Sequence, residues 1–476
     1  MVSPATAARA ARIVVLGAGP CGLACADMLD LLGHHDWVVL EAAESPGGLA
    51  SSVLDAQGFT WDLGGHVVFS HFGEFDRLMA ELFEPGELLH HDRSSFVRFR
   101  DRWVPYPFQQ HLSHLPSPDA AASLLSLTWT KLRQRAWGTS DEEDFAHWLC
   151  RAYGPALVKR FFEPYNTKVW STPPHTMSAG WVAERVAPAT LRETWGALAR
   201  PAAQRGQWGP NSTFAFPSCG GTGEVWRRMA DRLGERVRTG ARVQGVNPEA
   251  GLVLLADGES VPYDYVVSTL PLDQLAAMTT TAPPEVRHAA AQLSHTTVAM
   301  VGLGYQEPTS DQRSWLYFPE PQVPFYRATN FSKYAPANVP QADTGRFSAW
   351  MTETSLAPGT RVDTDELARA CDAALREHHL VPQDAALASV HVEMIPYAYP
   401  VPTLDRDRLL HQVVPWLESQ RIYPRGRFGT WRYEIGNMDH AVKMGVDIAR
   451  RLITGTSEDL LPPALLPVTA LVGSPS

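Results

Sequence analysis

Cysteine is scarce in this chain. Its 476 residues include only five cysteines: Cys21, Cys25, Cys150, Cys219 and Cys371. Only Cys21 and Cys25 lie close together in sequence. An odd, scattered set excludes a disulfide framework and a cysteine-based metal site, and it is typical of proteins that fold in a reducing compartment. We therefore expect a cytoplasmic protein without a bound metal.

The chain also lacks long apolar runs and an excess of positive charge. No stretch approaches the ~18 apolar residues of a membrane-spanning helix, and the first residues, MVSPATAARAAR, lack the apolar core of a signal peptide. We expect residues 1–11 to be a disordered tail. The formal net charge of −10 argues against broad binding to nucleic acid or anionic membranes. An anionic substrate would therefore need a local cluster of arginines.

One segment near the N-terminus carries a specific signal. The apolar run 13–16 precedes the glycine pattern GAGPCG, and a helical stretch and a second apolar run ending in Glu41 follow. This order is that of a dinucleotide-binding unit. Gly17 permits the tight turn, Gly19 lets the backbone approach a pyrophosphate, and Gly22 allows the helix to pack on the strand. The helix N-terminus would bind the phosphates, and Glu41 would accept hydrogen bonds from a ribose.

Two further glycine pairs favour FAD over NAD as the dinucleotide. Gly47-Gly48 follows Glu41 closely, and Gly64-Gly65 lies in WDLGGHVVFSH. Small residues let the backbone pass close to a long, extended ligand, whereas simple NAD-binding units need only the first cluster. Either pair alone is also compatible with an ordinary surface turn. Together with the first motif, the pairs predict a bound FAD.

The distribution of helical and strand-like patterns predicts an α/β protein with three regions. These are a Rossmann-like FAD-binding domain built from discontinuous segments (residues 12–90, 220–275 and 405–460), a helical substrate domain (110–205) and an antiparallel β-sheet domain (91–109, 206–219 and 276–404). Residues 461–476 would form an irregular tail. Strands at Arg242–Val246 and Tyr265–Thr269 would rejoin the nucleotide-binding sheet, and helices are predicted near 363–378 and 438–453.

The remaining informative segments combine aromatic residues, amides and arginines, with few candidate acids or bases. In chain order they are GGHVVFSH, WVPYPFQ, PYNTKVW, GGTG, WLYFP, PFYRAT and GRFGTWRYEIGN. For any one of these aromatic residues, a place in the core is the simpler interpretation. In kind and order, however, the segments resemble UDP-galactopyranose mutase, and its eukaryotic type more than its usual bacterial type. The resemblance extends from about residue 12 to about residue 450.

This resemblance implies an isomerase that interconverts UDP-galactopyranose and UDP-galactofuranose on reduced FAD with no net redox change. In that family the flavin N5 attacks the anomeric carbon, UDP leaves, and the sugar–flavin adduct opens and recloses before UDP returns. NADPH or NADH would serve as reductant. Such chemistry needs no Ser-His-Asp triad and no paired carboxylates. The protein must instead bind the diphosphate, orient the sugar and stabilise charge.

The resemblance also implies roles for individual residues. Arg185 and Arg327 would bind the two phosphates, because a guanidinium suits bidentate contacts. Three hydroxyl groups would donate to the same oxygens (Tyr317, Tyr399 and Tyr433). The uracil would be framed by Tyr106, Gln109, Phe161 and Tyr165. Asn166 and Trp170 would help to position the nucleotide and the diphosphate.

A second set of residues would surround the sugar and the flavin. Phe69, Asn211, Trp315 and Arg427 would border the sugar or the isoalloxazine ring. His66 would lie beside the flavin and respond to its redox state. The cofactor-binding set is completed by Pro20, Cys21, Leu49, Val243, Gly436, Asn437 and Met438.

Some features depart from the family pattern. Met438 stands where the family has Gln after the Gly-Asn pair, and Ala441 replaces a nearby Ser. Both changes would weaken polar contacts near the flavin pyrophosphate or ring edge. The Ala-, Arg- and Pro-rich composition is typical of bacteria. Three alternatives therefore stay open: a pyranose–furanose mutase for another nucleotide sugar, a flavin amine oxidase-like oxidoreductase, and an FAD-binding protein without catalysis. The sequence leaves the oligomeric state open.

Overall fold

The computed structural model of the chain describes residues 11–137, 144–182 and 212–465. The strands within these residues are β1 (Ile13–Leu16), β2 (Trp37–Leu40), β3 (Ser52–Leu54), β4 (Thr60–Asp62), β5 (Leu88–Asp92), β6 (Ser95–Phe99), β7 (Arg102–Pro105), β8 (Thr213–Pro217), β9 (Val237–Arg238), β10 (Val243–Asn247), β11 (Leu252–Leu255), β12 (Ser260–Pro262), β13 (Tyr265–Ser268), β14 (His295–Tyr305), β15 (Trp315–Tyr317), β16 (Arg327–Asn330), β17 (Ser348–Leu356), β18 (Leu387–Pro400) and β19 (Ile422–Pro424). The helices are α1 (Pro20–Leu31), α2 (Gly73–Leu82), α3 (Ser117–Trp137), α4 (Phe145–Tyr153), α5 (Pro155–Leu157), α6 (Glu163–Trp170), α7 (Gly223–Leu233), α8 (Leu272–Met278), α9 (Pro284–Ala291), α10 (Thr364–Glu377), α11 (Arg406–Ser419), α12 (Gly426–Gly429) and α13 (Met438–Thr454).

A five-stranded parallel sheet has the order β19-β13-β1-β2-β9. The central strand β1 pairs with β13 and β2 in register, so that Ile13 lies opposite both Tyr265 and Trp37. All four residues of β1 are fully buried. Burial on both faces explains why the strand is a continuous apolar run rather than an alternating one. The predicted Rossmann-like arrangement is confirmed.

The two faces of this sheet contact different helices. Ile13 and Val15 pack with residues of α1, α7 and α13, whereas Val14 points to the other face and packs with α8, α9 and α11. Helices α1 and α13 approach closely, because a Cβ on Gly445 would lie 2.2 Å from the carbonyl oxygen of Cys21. The first half of α13 therefore lies beside the beginning of α1.

A seven-stranded sheet has the order β18-β14-β17-β16-β15-β6-β7. Its neighbouring strands are antiparallel except for β15 and β6, which run parallel. The sheet predicted to be antiparallel is thus mixed at this one pair. Strand β6 comes from a distant part of the sequence, so no hairpin forces it to run antiparallel to β15.

Helices α3 to α6 form a third region beside the larger sheet. Phe145, Leu149 and Tyr153 recur every four residues along α4 and are fully buried. They pack with residues of the π-helical turn Val158–Phe162, which leads directly into α6. The rest of the predicted helical domain, from residue 183 onwards, lies outside the described residues. Within the described ranges, no helix is both long enough and apolar enough to span a bilayer.

One sequence prediction about strands is wrong. Arg242–Val246 does not join the parallel sheet, because β10 forms a separate three-stranded sheet with β11 and β12, and β9 takes the place beside β2. Strand β8 pairs with β5 in a separate two-stranded ladder. The other predicted strand is β13, and the helices predicted near 363–378 and 438–453 are α10 and α13. The domain boundaries stay predictions.

Candidate functional site

A cavity of about 750 Å³ is lined by residues of both large sheets and of the helical region. One end is formed by the turn after β1 and by the beginnings of α1 and α13. The other end is formed by α6, β15, β16 and β18. Its volume is within the range of small-molecule and cofactor sites.

The turn after β1 has the geometry that a diphosphate needs. Gly17 has a φ of +98°, and a Cβ there would lie 2.2 Å from the Oγ1 of Thr269. A Cβ on Gly22 would lie 2.0 Å from the carbonyl oxygen of Gly17. Gly19 precedes α1 and makes no side-chain cap, so the first N–H groups of the helix face the cavity end and can bind phosphate oxygens.

Glu41 holds this turn in place. Its carboxylate accepts hydrogen bonds from the backbone N–H groups of Ala18, at 2.7 Å, and Ala43, at 2.9 Å. Glu41 also lines the cavity. Each oxygen of a carboxylate can accept more than one hydrogen bond, so the side chain can bind a ribose hydroxyl while it keeps the turn closed.

The loop 64–66 brings polar atoms to the middle of the cavity. A Cβ on Gly65 would lie 2.9 Å from the Oγ1 of Thr329 and 3.0 Å from the Nε1 of Trp315, so only glycine fits against the larger sheet. Those two atoms and the Nδ1 of His66 are buried and have no hydrogen-bond partner within the described chain. Buried polar atoms are almost always satisfied. Trp315 and His66 line the cavity, which indicates that a ligand completes their ring nitrogens.

His66 is neutral at physiological pH. Burial and the guanidinium groups of Arg427 and Arg327 together lower the pKa of its ring to about 4, although Glu353 opposes this shift. A neutral imidazole offers one donor and one acceptor. His66 can therefore form a hydrogen bond to a ligand without adding charge to the site.

The beginning of α13 forms the wall opposite this loop. Gly436, Asn437 and Met438 line the cavity. Arg427 fixes this wall, because its side chain donates to the carbonyl oxygens of Gly436, at 2.8 Å, and Ala398, at 3.0 Å. A helix N-terminus, two glycine-rich turns and unsatisfied donors along one cavity together fit an extended dinucleotide such as FAD.

A buried ion pair occupies the other end of the cavity. Arg327 donates to both carboxylate oxygens of Glu353, at 2.7 and 2.6 Å. The carboxylate also accepts from the hydroxyl of Tyr326, at 2.6 Å, and from the N–H of Gly65, at 3.0 Å. Burial alone would raise the pKa of Glu353, but Arg327 holds it below its ordinary value. Glu353 thus orients the guanidinium and ties it to the loop 64–66.

Tyrosine rings surround this ion pair. Tyr106 and Tyr165 lie with their ring centroids 5.4 and 5.7 Å from that of Tyr317. Tyr399 and Tyr433 lie 5.7 Å apart. Burial raises the pKa of the Tyr317 and Tyr399 hydroxyls. These groups therefore remain protonated and can donate hydrogen bonds to an anion.

The structure brings most of the predicted site residues together. Every described residue predicted to bind substrate lines the cavity: Phe69, Tyr106, Gln109, Phe161, Tyr165, Asn166, Trp170, Trp315, Tyr317, Tyr399 and Tyr433. Arg327 and His66 line it as well, as do the predicted cofactor residues Gly17, Gly19, Pro20, Cys21, Glu41, Gly48, Leu49, Gly65, Arg427, Gly436, Asn437 and Met438. The roles assigned to them stay predictions.

Several predicted residues lie elsewhere. Gly22, Gly47 and Gly64 shape the turns but do not themselves line the cavity. Val243 lies on β10 and packs against an apolar cluster beneath the parallel sheet, so this cavity gives no support to its predicted contact with the cofactor. Arg185 and Asn211 lie outside the described residues.

Arg93, Tyr326 and Glu353 are among the residues at the site that the sequence analysis missed. Arg93 lines the cavity with its guanidinium 5.3 Å from the ring of Tyr106. Tyr326 is in the PFYRAT segment, directly before Arg327, and its place in that motif could have identified it. Arg93 and Glu353 carry no motif signal, because only the tertiary structure brings Arg93 to the cavity and Glu353 to Arg327.

The comparisons with known proteins agree with this geometry. The family model of flavin-containing amine oxidoreductases matches residues 20–453. Two solved structures share the fold at low identity: cyclohexylamine oxidase from Brevibacterium oxydans (18% identity, 93% of this chain and 98% of that chain, TM-score 0.63) and a fatty acid isomerase from P. acnes that produces CLA (15%, 93% and 98%, TM-score 0.62). The fold and the site thus define a member of the flavin-containing amine oxidoreductases.

A higher similarity defines the narrower group. A crystal structure of reduced UDP-galactopyranose mutase is 36% identical to this chain, covers 93% of this chain and 94% of its own, and superposes with a TM-score of 0.88. The chain therefore belongs to the UDP-galactopyranose mutase family.

Proposed function

We propose that this protein is a flavin-dependent mutase that interconverts UDP-galactopyranose and UDP-galactofuranose. The observation that carries the proposal is the convergence of Arg327 with the hydroxyls of Tyr317, Tyr399 and Tyr433 at the cavity end opposite the dinucleotide-binding turn. A buried guanidinium surrounded by hydroxyl donors fits a diphosphate.

The chain's own residues would bind and orient the substrate. Bound FAD, in its reduced form, would supply the nucleophile for covalent catalysis at the anomeric carbon. Arg327, together with Arg185, would bind the diphosphate and stabilise the charge on UDP as it departs. Glu353 would keep Arg327 in the orientation for bidentate contact. The tyrosine hydroxyls would donate to the remaining oxygens, and the aromatic walls would exclude water.

The nucleotide base would lie against α6 and the segment after β7. Gln109 is 3% exposed and lines the cavity, and its amide offers both a donor and an acceptor to the imide edge of uracil. Phe161 and Tyr165 stack with ring centroids 5.4 Å apart and would form the flat wall beside the base. A purine would not fit this arrangement of polar groups as well.

Reduction of the flavin would require an external donor. NADPH or NADH is the proposed reductant, and the site of action is proposed to be the cytoplasm. Because the overall reaction consumes no electrons, one reduction would support many turnovers in the absence of oxygen.

The proposal is tested by anaerobic incubation of the FAD-loaded protein with UDP-galactose, UDP-glucose, GDP-mannose and dTDP-glucose. The products are separated by chromatography after reduction with dithionite, and the oxidised protein serves as control. We expect conversion of the UDP-galactose alone and only by the reduced protein. Equal turnover by the oxidised protein, or no conversion of any nucleotide sugar by the reduced one, would contradict the proposal.

A further inference from the structure

Lys168 has an unusual environment for a charged side chain. Its Nζ lies 2.6–3.0 Å from four backbone carbonyl oxygens, those of Phe318, Glu320, Val323 and Phe325. All four belong to the segment 318–326, which connects β15 to β16. An ammonium group has three hydrogens, so its donors are all used by this one segment.

The segment 318–326 lies between the two residues, Tyr317 and Arg327, that the proposed function assigns to the diphosphate. Tyr317 is the last residue of β15, Arg327 is the first of β16, and they pair in register. The N–H of Phe318 donates to the carbonyl oxygen of Tyr326 at 2.9 Å. Any displacement of the segment would therefore move Tyr317 and Arg327.

Lys168 joins this segment to the helix beside the proposed uracil site. It lies on α6, three residues after Tyr165, whose ring contacts that of Tyr317. Lys168 itself does not line the cavity. It can therefore act on the substrate only through the residues that it holds.

We infer that Lys168 is a positioning residue, whose ammonium group fixes the segment 318–326 against α6 and so sets the spacing between the uracil-binding and the diphosphate-binding residues. The part of this inference that concerns the substrate rests on the proposed function. The fixing of the segment does not, because it follows from the four hydrogen bonds alone.

Keeping Lys168 charged costs more free energy than keeping a surface lysine charged. Burial lowers the pKa of its ammonium group to about 8, and the nearby Glu320 and Cys371 oppose this shift. An ordinary anchoring role could be filled by an apolar side chain. Four carbonyl oxygens turned inwards, by contrast, require a donor, and buried acceptors without one are costly.

Hydrogen exchange and UDP titration on the FAD-loaded protein test this inference. Lys168→Met keeps the length of the side chain and removes its donors. Lys159→Met, at an exposed position nine residues earlier in the chain, is the matched control. In Lys168→Met we expect amide exchange in the segment 318–326 to be faster and UDP to bind more weakly, each by about ten-fold. The FAD content should be unchanged, and KM should rise more than kcat falls.

The outcomes separate the two proposals. Wild-type exchange in the segment 318–326 of Lys168→Met would overturn the role of Lys168. If the unaltered protein binds no UDP, the proposed function fails, whereas the exchange data still decide whether Lys168 fixes the segment. If Lys168→Met does not fold, Lys168→Arg replaces it, because a planar guanidinium cannot reach all four carbonyls. Faster exchange confined to the segment would then support the inference, and wild-type exchange would overturn it.

Discussion

Arg327→Met would show how strongly the buried ion pair depends on both partners. The substitution leaves Glu353, which is 2% exposed, with only the hydroxyl of Tyr326 and the N–H of Gly65 as donors. Removal of one partner of a buried pair costs about 3–5 kcal/mol. Because two donors remain, we expect the free energy of unfolding of the FAD-saturated protein to fall by about 3 kcal/mol.

The loss of stability in Arg327→Met should depend on pH. Burial raises the pKa of Glu353 and Arg327 lowers it, so without Arg327 the carboxyl of the folded variant has a pKa above that of the unfolded chain. The folded variant then holds a proton that the unfolded chain releases. Its stability therefore decreases, relative to the wild type, by up to about 1.4 kcal/mol per pH unit as the pH rises above 5, until the raised pKa is passed.

Urea unfolding at pH 5 and pH 8, followed by tryptophan fluorescence with FAD in excess, measures this effect. The double variant Arg327→Met with Glu353→Met is the matched control, since replacing both partners by apolar groups leaves no unpaired charge. We expect it to recover more than half of the stability lost at pH 8. Wild-type stability of Arg327→Met at pH 8, or a double variant no more stable than the single one, would refute the reasoning.

Four further predictions follow from the site and from one buried carboxyl group. The purified protein should be yellow, and heat denaturation should release FAD that is identified by its mass. Arg185→Ala should lower kcat/KM by roughly a hundred-fold to ten-thousand-fold with normal FAD content, because two charge-assisted hydrogen bonds of about 1.5–3 kcal/mol each are lost. Wild-type steady-state kinetics would remove Arg185 from the site. UDP should bind at least about ten-fold more tightly than GDP, and Gln109→Ala should weaken UDP binding in a calorimetric titration; tighter binding of GDP would indicate a GDP-sugar mutase. Burial raises the pKa of Asp62 to about 7, so the contribution of this carboxyl group to stability should fall by up to about 1.4 kcal/mol per pH unit as the pH rises from about 4 to 7. Asp62→Asn should flatten this part of the urea-unfolding profile.

The sequence predicted features that depend on neighbours in the chain. The turn at Gly17 could be predicted from local rules, because the strand, the glycines and Glu41 occur within 30 residues. The conformational role of each of them depends only on this short stretch of chain. The strand 242–246 was assigned to the wrong sheet because its apolar pattern fits any sheet. Its pairing with β11 is decided by the tertiary structure. Glu353 was missed for a similar reason: it meets Gly65 across 288 positions of sequence, and nothing around it marks that contact.

The order of the strands in the parallel sheet has a consequence for synthesis of the protein on the ribosome. β13 ends at Ser268, but its neighbour β19 begins only at Ile422. At about 5–20 residues per second, the ribosome needs roughly 8–30 s to make the intervening chain. During that time β13 is an open edge of the sheet, and the emerging nucleotide-binding fold lacks α13, which packs along α1. Stable capture of the cofactor should therefore occur late, after almost all of the described chain has left the ribosome, and chaperones that protect open sheet edges should bind the nascent protein in this interval.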